Sequence, residues 1–476
     1  MAQTLIRSGA LITMDPRLGL MATGDILVNG DRIVEVAHRI DAPDAQTIDA
    51  SGCIVIPGLV NAHVHLWQTV LRGIGSDWAG SDYYNYMHAG TAPRFTPDDL
   101  RVSEFAGALG QLLGGTTTVF DWCHNNPTPE HTDAAIEGLR NSGIRALFGH
   151  GTVKPKPRLG EPHFSQVPHP RSEIERLRRE SFTSDDGLLR LAMCILGPDY
   201  STLEVCRQDF ALARELGLIS SAHVWGRANR LVPGGYRQIA AEGLLDSRHN
   251  VVHANYIEDD EIKILIDAGA TITATPPAEI RGHGKPPLIG RVAAAGGKPS
   301  IGNDSEVGIT GSMLETIRLS LQVQRLFDNI AAQARLDNND PTAVAYHAKN
   351  LKTIGTGGGL MEKISVTSFE ALRWATVNNA EVVGLGDQIG SLTPGKKADI
   401  VILRRNAMNL APALNPVDTV VMYAHPDNVD TVMVDGRIVK RNGKVALPVD
   451  LEALATELDQ RGRRLLAEAG FSELAI

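Results

Sequence analysis

Short apolar runs alternate with amphipathic stretches along most of the 476-residue chain. Eight such runs fall between residues 53 and 304: "CIVIPGLVNAHVH" (53–65), "GTTTVFDW" (115–122), "RALFGHG" (145–151), "LRLAMCIL" (189–196), "LISSAHVW" (218–225), "NVVHANY" (250–256), "ATITATP" (270–276) and "KPSIGND" (298–304). Each is short and mostly apolar, as a strand buried on both faces must be. Helical periodicity fills most of the gaps, as in "TLEVCRQDFALARELG" (202–217). Strands alternating with helices in this number predict an α/β fold, a (β/α)8 TIM-like barrel.

The two ends of the chain carry a different pattern. "ILVNGDRIVEV" (26–36) and "VMVDGRIVKRNGKV" (432–445) place β-branched runs around Asn-Gly or Asp-Gly, a strong hairpin signal. "KKADIVIL" (396–403) adds another strand. Residues 1–57 and 390–447 are therefore expected to form one composite β-sandwich domain, with 58–389 as the barrel. Long helical patterns after the eighth strand, such as "SMLETIRLSLQVQRLFDNIAAQ", close the barrel and lead back to that domain. In the tail, 448–476, Leu451, Leu454, Leu458, Leu465 and Leu466 lie among charges and predict an amphipathic helix docked on a surface.

Composition narrows the possibilities. Apolar residues make up 43% and charged residues 21%, as in a soluble globular protein. A net charge of −9 disfavours nucleic-acid or membrane-surface partners, which select basic patches. No run is long enough to span a membrane, and the N-terminus lacks the features of a secretory signal. The four cysteines, Cys53, Cys123, Cys194 and Cys206, form no CxxC pair and read as reduced thiols of a cytoplasmic protein.

Active sites of such barrels lie at the C-terminal ends of the strands. The first strand ends with His63 and His65, the fifth near His223, the sixth near His253 and the eighth with Asp304. Strand side chains alternate, so His63 and His65 point the same way, into the barrel mouth. Three imidazoles and a carboxylate suit one divalent metal ion, Zn2+ or Fe2+. One strand-end histidine is more often structural than functional, but this ordered set of five residues is a joint coincidence. No HExxH, GxSxG or GxxxxGK[ST] motif competes with it.

With these motifs the chain resembles the amidohydrolase superfamily. The resemblance is carried by "PGLVNAHVHL" (57–66), "HV" (223–224), "VVHANY" (251–256), "IGNDS" (301–305) and "GKKAD" (395–399), and covers nearly the whole chain. It is similar to the branch holding cytosine and guanine deaminases, methylthioadenosine/adenosylhomocysteine deaminases and triazine chlorohydrolases. The resemblance implies hydrolysis of a C–N bond in a small nitrogen heterocycle such as a purine, pterin, pyrimidine or triazine. It implies one catalytic metal held by His63, His65, His223 and Asp304. His253 would position the attacking water or a substrate atom, and Asp304 would take the water's proton. It also implies a homodimer or homotetramer acting on a small molecule.

One departure stands out. These deaminases carry HxxE on the fifth strand, but here the sequence is "HVWG" and Gly226 replaces the acid. Glu279 and His283 in "PPAEIRGHG", or Glu306, are the candidates to move that proton. The substitution keeps hydrolytic dechlorination or ring opening as an alternative reaction. A non-catalytic scaffold is a third reading, disfavoured by the complete ligand set. Asp121 or His124 is a candidate to orient the imidazoles. Aromatics are only 5% of the chain, yet Trp67, Trp78, Tyr83, Tyr84, Tyr86, Trp122 and Trp225 cluster at the predicted mouth. Together with Glu279, Trp67, Trp78, Trp122 and Trp225 are expected to line a substrate pocket for a planar or apolar molecule.

Overall fold

The computed structural model describes residues 3–226, 230–356 and 359–475. Its first five strands are β1 (Gln3–Ile12), β2 (Leu20–Asn29), β3 (Arg32–Ala37), β4 (Gln46–Asp49) and β5 (Cys53–Pro57). The eight that follow are β6 (Leu59–Val64), β7 (Thr116–Cys123), β8 (Arg145–Gly151), β9 (Leu189–Cys194), β10 (Ile219–Val224), β11 (His249–His253), β12 (Thr271–Ala274) and β13 (Ser300–Ile301). These eight run parallel in sequence order. The ring closes between β6 and the chain after β13. Asp304 N–H donates to His63 O at 3.0 Å, and His65 N–H donates to Asp304 O at 3.1 Å. The barrel of the sequence reading is thus present.

The last four strands, β14 (Ile400–Arg404), β15 (Val429–Val434), β16 (Arg437–Arg441) and β17 (Lys444–Val445), join β1–β5 in one nine-stranded mixed sheet. The hairpin signals hold. At Asp435-Gly436 and again at Asn442-Gly443 both turn residues have positive φ, as a two-residue turn between right-twisted strands requires. The sheet curls back on itself: Ile33 N–H meets Lys396 O at 2.9 Å, bringing β3 beside the start of β14. Ile6, Ile26, Ile33, Val55, Ile400 and Ile402 fill the fold so formed.

"CIVIPGLVNAHVH" is not one strand. It passes from the mixed sheet (β5) to the barrel (β6) at Gly58, where a Cβ would lie 2.0 Å from the Thr117 hydroxyl. The two sheets are tied together at this end. Buried Arg145 at the start of β8 donates to Asp399 at 2.9 and 3.1 Å and to Asp435 at 2.8 Å. Asp399, from the "GKKAD" motif, therefore acts as a structural counter-charge.

The tail forms a helix, Leu451–Ala469, capped by Asp450. Leu465 and Leu466 are buried, and Gly462 lies so close to Val70 O that a Cβ would sit 2.6 Å away. Arg461 and Arg464 reach Asp99 in the helix Pro97–Leu113. The tail thus braces the loop after β6. Among the described residues no helix is long and apolar enough to cross a membrane.

Candidate metal centre and cavity

At the C-terminal mouth of the barrel, ring nitrogens of His63, His223 and His253 and an oxygen of Asp304 lie within 4.8 Å of one another. His63 Nε2 is 3.2 Å from His223 Nε2 and 3.5 Å from Asp304 Oδ1. His65 Nε2 reaches the same oxygen at 3.3 Å. All five predicted strand-end residues therefore converge. The backbone is bent to achieve this: His253, Ala254 and Asp304 have φ of +69°, +61° and +78°, a region that costs non-glycine residues energy and recurs at functional sites. A polar lattice below holds β6 to the eighth strand. Asn61 donates to Asn303 at 2.6 Å and accepts its N–H at 3.1 Å, and Asn303 donates to Thr316 at 2.6 Å.

The donor set calls for a cation. His65 Nδ1 lies 2.6 Å from the Trp122 carbonyl, which only accepts, so Nδ1 carries the proton. In the neutral ring Nε2 is then a lone pair facing a carboxylate oxygen, and the two repel unless positive charge lies between them. Burial pushes the His63 imidazole down to about 3 and His223 well below its ordinary range, so a proton is disfavoured on either. Burial would raise the Asp304 carboxyl; hydrogen donation or positive charge from the side of His63 and His65 holds it well below the usual carboxylate range, which bare ring lone pairs cannot supply and a bound cation would. Neutral imidazoles and an ionised carboxylate at one point are the donors that a borderline divalent ion takes.

The cavity above the cluster measures about 610 Å³, within the range of small-molecule sites. Trp78 and Trp225 line it, as expected, with Tyr83 and Tyr84. Trp78 stacks on Tyr86 with centroids 5.1 Å apart, and Trp225 lies 4.3 Å from the His283 ring. Trp67 and Trp122 do not line it. Both are buried behind the ligands, Trp67 donating to His124 Nδ1 at 3.2 Å and Trp122 packing 4.1 Å from the His223 ring. Trp67 lies one turn past the strand in a short helix (Leu66–Leu71), which turns it inward; Trp122 shares a buried strand with Asp121. His124 lines the cavity beside His88, 3.3 Å away. Among the described residues Asp121 hydrogen-bonds to no imidazole; it accepts from Leu66 N–H at 3.1 Å.

The strand-seven loop divides its two candidates. Glu279 is fully buried behind His253, where it accepts from Thr275 N–H at 2.7 Å, lies 3.3 Å from His253 Nδ1 and meets Asn255 Nδ2 at 3.3 Å. It does not line the cavity, so the expected substrate contact is absent: the helix Pro276–Gly282 folds its carboxylate back onto Thr275. His253 is lowered by burial but raised more by Glu279 and Asp304, for a net increase. His283 does line the cavity. Its Nδ1 lies 2.6 Å from Asn255 Oδ1, an orientation fixed because Asn255 Nδ2 donates to Pro286 O and Glu279. Glu306 turns away, into Thr69, Arg72 and Gln111. Gly226 has φ +72°, and a Cβ there would lie 2.2 Å from Ile257. Its N–H and that of Trp225 donate to Asp199 instead. No side chain of any kind fits where an acid is usual. Lys154, in the loop after β8, is among the lining residues that had no sequence signal.

A model of the amidohydrolase family matches residues 54–439. The chain belongs to the amidohydrolase family. It is 27% identical to the 5-methylthioadenosine/S-adenosylhomocysteine deaminase of Symbiobacterium thermophilum, over 98% of this chain and 100% of that one. It is 25% identical to the 5'-deoxyadenosine deaminase of Methanothermobacter thermautotrophicus, over 96% of each. Among solved structures, the zinc complex of the atrazine chlorohydrolase of Arthrobacter aurescens superposes with a TM-score of 0.78 at 23% identity, covering 96% of this chain and 99% of that one. A zinc-bound adenosine deaminase from Xanthomonas campestris gives 0.77 at 19% identity, covering 98% and 99%. At these identities the structures speak for the fold of this amidohydrolase.

Proposed function

We propose that this amidohydrolase is a zinc-dependent aminohydrolase that releases ammonia from a small nitrogen heterocycle. The observation that carries the reading is the lone pair of His65 Nε2 aimed at Asp304 among buried neutral imidazoles, beneath a cavity walled by Trp78 and Trp225. Support for C–N chemistry comes from the full-length similarity to the two deaminases, and for zinc from the zinc in similar folds.

His63, His65, His223 and Asp304 would hold the ion. When bound, zinc supplies Lewis acidity and makes water acidic enough to ionise near neutral pH. Asp304, ionised and at the cavity floor, accepts the proton of the attacking water. His253, oriented by Thr275 and Glu279, donates to the atom that gains charge at the attacked carbon. Glu279 is a positioning residue rather than a contact. His283 stands on the cavity wall with Nδ1 committed to Asn255, so Nε2 is the nitrogen that exchanges a proton with the leaving amine or ring. It takes the place of the acid that Gly226 excludes. Trp78 and Trp225 would sandwich a planar ring.

The test is a turnover screen of the zinc-loaded protein with amino-substituted purines, pterins, pyrimidines and triazines, reading ammonia and chloride. Ammonia release that falls about a hundredfold in His283→Asn, with zinc retained, is expected for a lost general acid. Chloride release, or ring opening without ammonia, would replace the reading by dechlorination or cyclic-amide hydrolysis.

A further inference from the structure

Lys154 lies in the loop that follows β8 and is only 9% exposed. Its side chain lines the same cavity as His223 and Asp304, with the ammonium 4.3 Å from the centroid of the Tyr200 ring. Among the described residues no carboxylate pairs with it, whereas buried Arg145 has Asp399 and buried Lys397 has Asp31 and Asp435. A buried charge is ordinarily neutralised by a partner. Among the described residues Asp304 is the one carboxylate on the cavity wall, and it is engaged with His63 and His65. Arg281, also on the wall, donates to the Gly75 carbonyl, which carries no charge to offset its own. Two cations, Lys154 and Arg281, thus face one carboxylate, Asp304, an excess of positive charge before any metal is counted. Burial lowers the Lys154 ammonium to about 8, which still leaves it mostly charged at neutral pH.

We infer that Lys154 is the recognition point for a carboxylate carried by the substrate, so that the cavity selects planar nitrogen heterocycles with an anionic substituent. The aromatic walls take the ring, Lys154 takes the carboxylate, and the metal cluster faces the carbon that loses its amine. The last part rests on the aminohydrolase reading; the charge preference does not.

Calorimetric titration of the zinc-loaded protein with benzoate and with benzamide reads that preference without turnover. Wild type is expected to bind benzoate more tightly by about tenfold or more, the worth of one charge-assisted hydrogen bond. Lys154→Met should equalise the two ligands, and Lys154→Arg should keep most of the difference. Equal affinity in wild type, including no measurable binding of either, overturns the inference. A benzoate preference that survives in Lys154→Met also overturns it, because the metal then holds the carboxylate. A protein that prefers benzoate through Lys154 yet releases no ammonia would refute the aminohydrolase reading alone.

Discussion

Val64 is flanked by two aspartates, half-buried Asp304 and buried Asp121, that behave in opposite ways. On one side it bridges to Asp304; on the other it pairs in register with Asp121. Burial raises both carboxyls. At Asp304 positive charge on the histidine side reverses that effect, and the group stays ionised. Asp121 has one N–H donor, from Leu66, and a second acid, Glu104, as neighbour. Among the described residues no N–H or hydroxyl donor reaches either Glu104 oxygen or Asp121 Oδ2, which leaves the two acids facing each other. Burial then wins, carrying Asp121 up to about 7 and Glu104 well above its ordinary value. Two like carboxylates in a dry site hold a proton between them. The same residue type on two sides of one strand is thus an electrophile's partner on the mouth side and a proton-sharing structural pair behind it.

The largest test of this contrast replaces each aspartate by asparagine. Asp304→Asn is expected to cost turnover by about a thousandfold or more, since it removes a ligand and the proton acceptor together. Asp121→Asn should change turnover only a fewfold. Comparable losses in both, measured as kcat/KM on one active substrate, would erase the distinction.

Glu279 sharpens it, as a buried carboxylate that faces an imidazole yet lies outside the cavity. Glu279→Gln keeps the shape but weakens the hold on His253. Turnover should fall by about ten- to a hundredfold, as for other groups that orient a catalytic histidine. The larger part should appear in kcat rather than KM, and the limb of the pH profile that reports His253 should move to lower pH, because Glu279 raises it. An unchanged profile would make Glu279 a loop fastener only.

The smallest effect is on stability. The native Glu104–Asp121 pair binds a proton that the unfolded chain releases above the ordinary carboxylate range. Stability should therefore fall as pH rises from about 4 through 7. Glu104→Gln removes the second acid and lets an amide donate to Asp121, raising stability at pH 8 by about 1 kcal/mol relative to wild type. Urea midpoints at pH 6 and 8 check this; the same shift at both would refute proton sharing.

The barrel and its convergent ligands were legible because they are periodic. Alternation puts His63 and His65 on one face, and parallel strands deliver His223, His253 and Asp304 to one end. What lies past the strand ends was not. Trp67 and Trp78 stand in one aromatic loop, but a short helix turns one inward while the other reaches the cavity. Glu279 and His283, four residues apart, are separated by a helical turn that buries the first and presents the second. Lys154 carries no such signal, because an isolated lysine in a loop has no periodicity to betray its burial.

Asp304 and the histidines around it are expected to hold one divalent ion. Elemental analysis after zinc loading and gel filtration tests it most directly. About one equivalent of zinc in wild type and Asp121→Asn, with near-complete loss in a His63→Ala/His223→Ala double variant that remains folded, is the predicted result. Zinc retained by that variant, or none held by wild type, would contradict it.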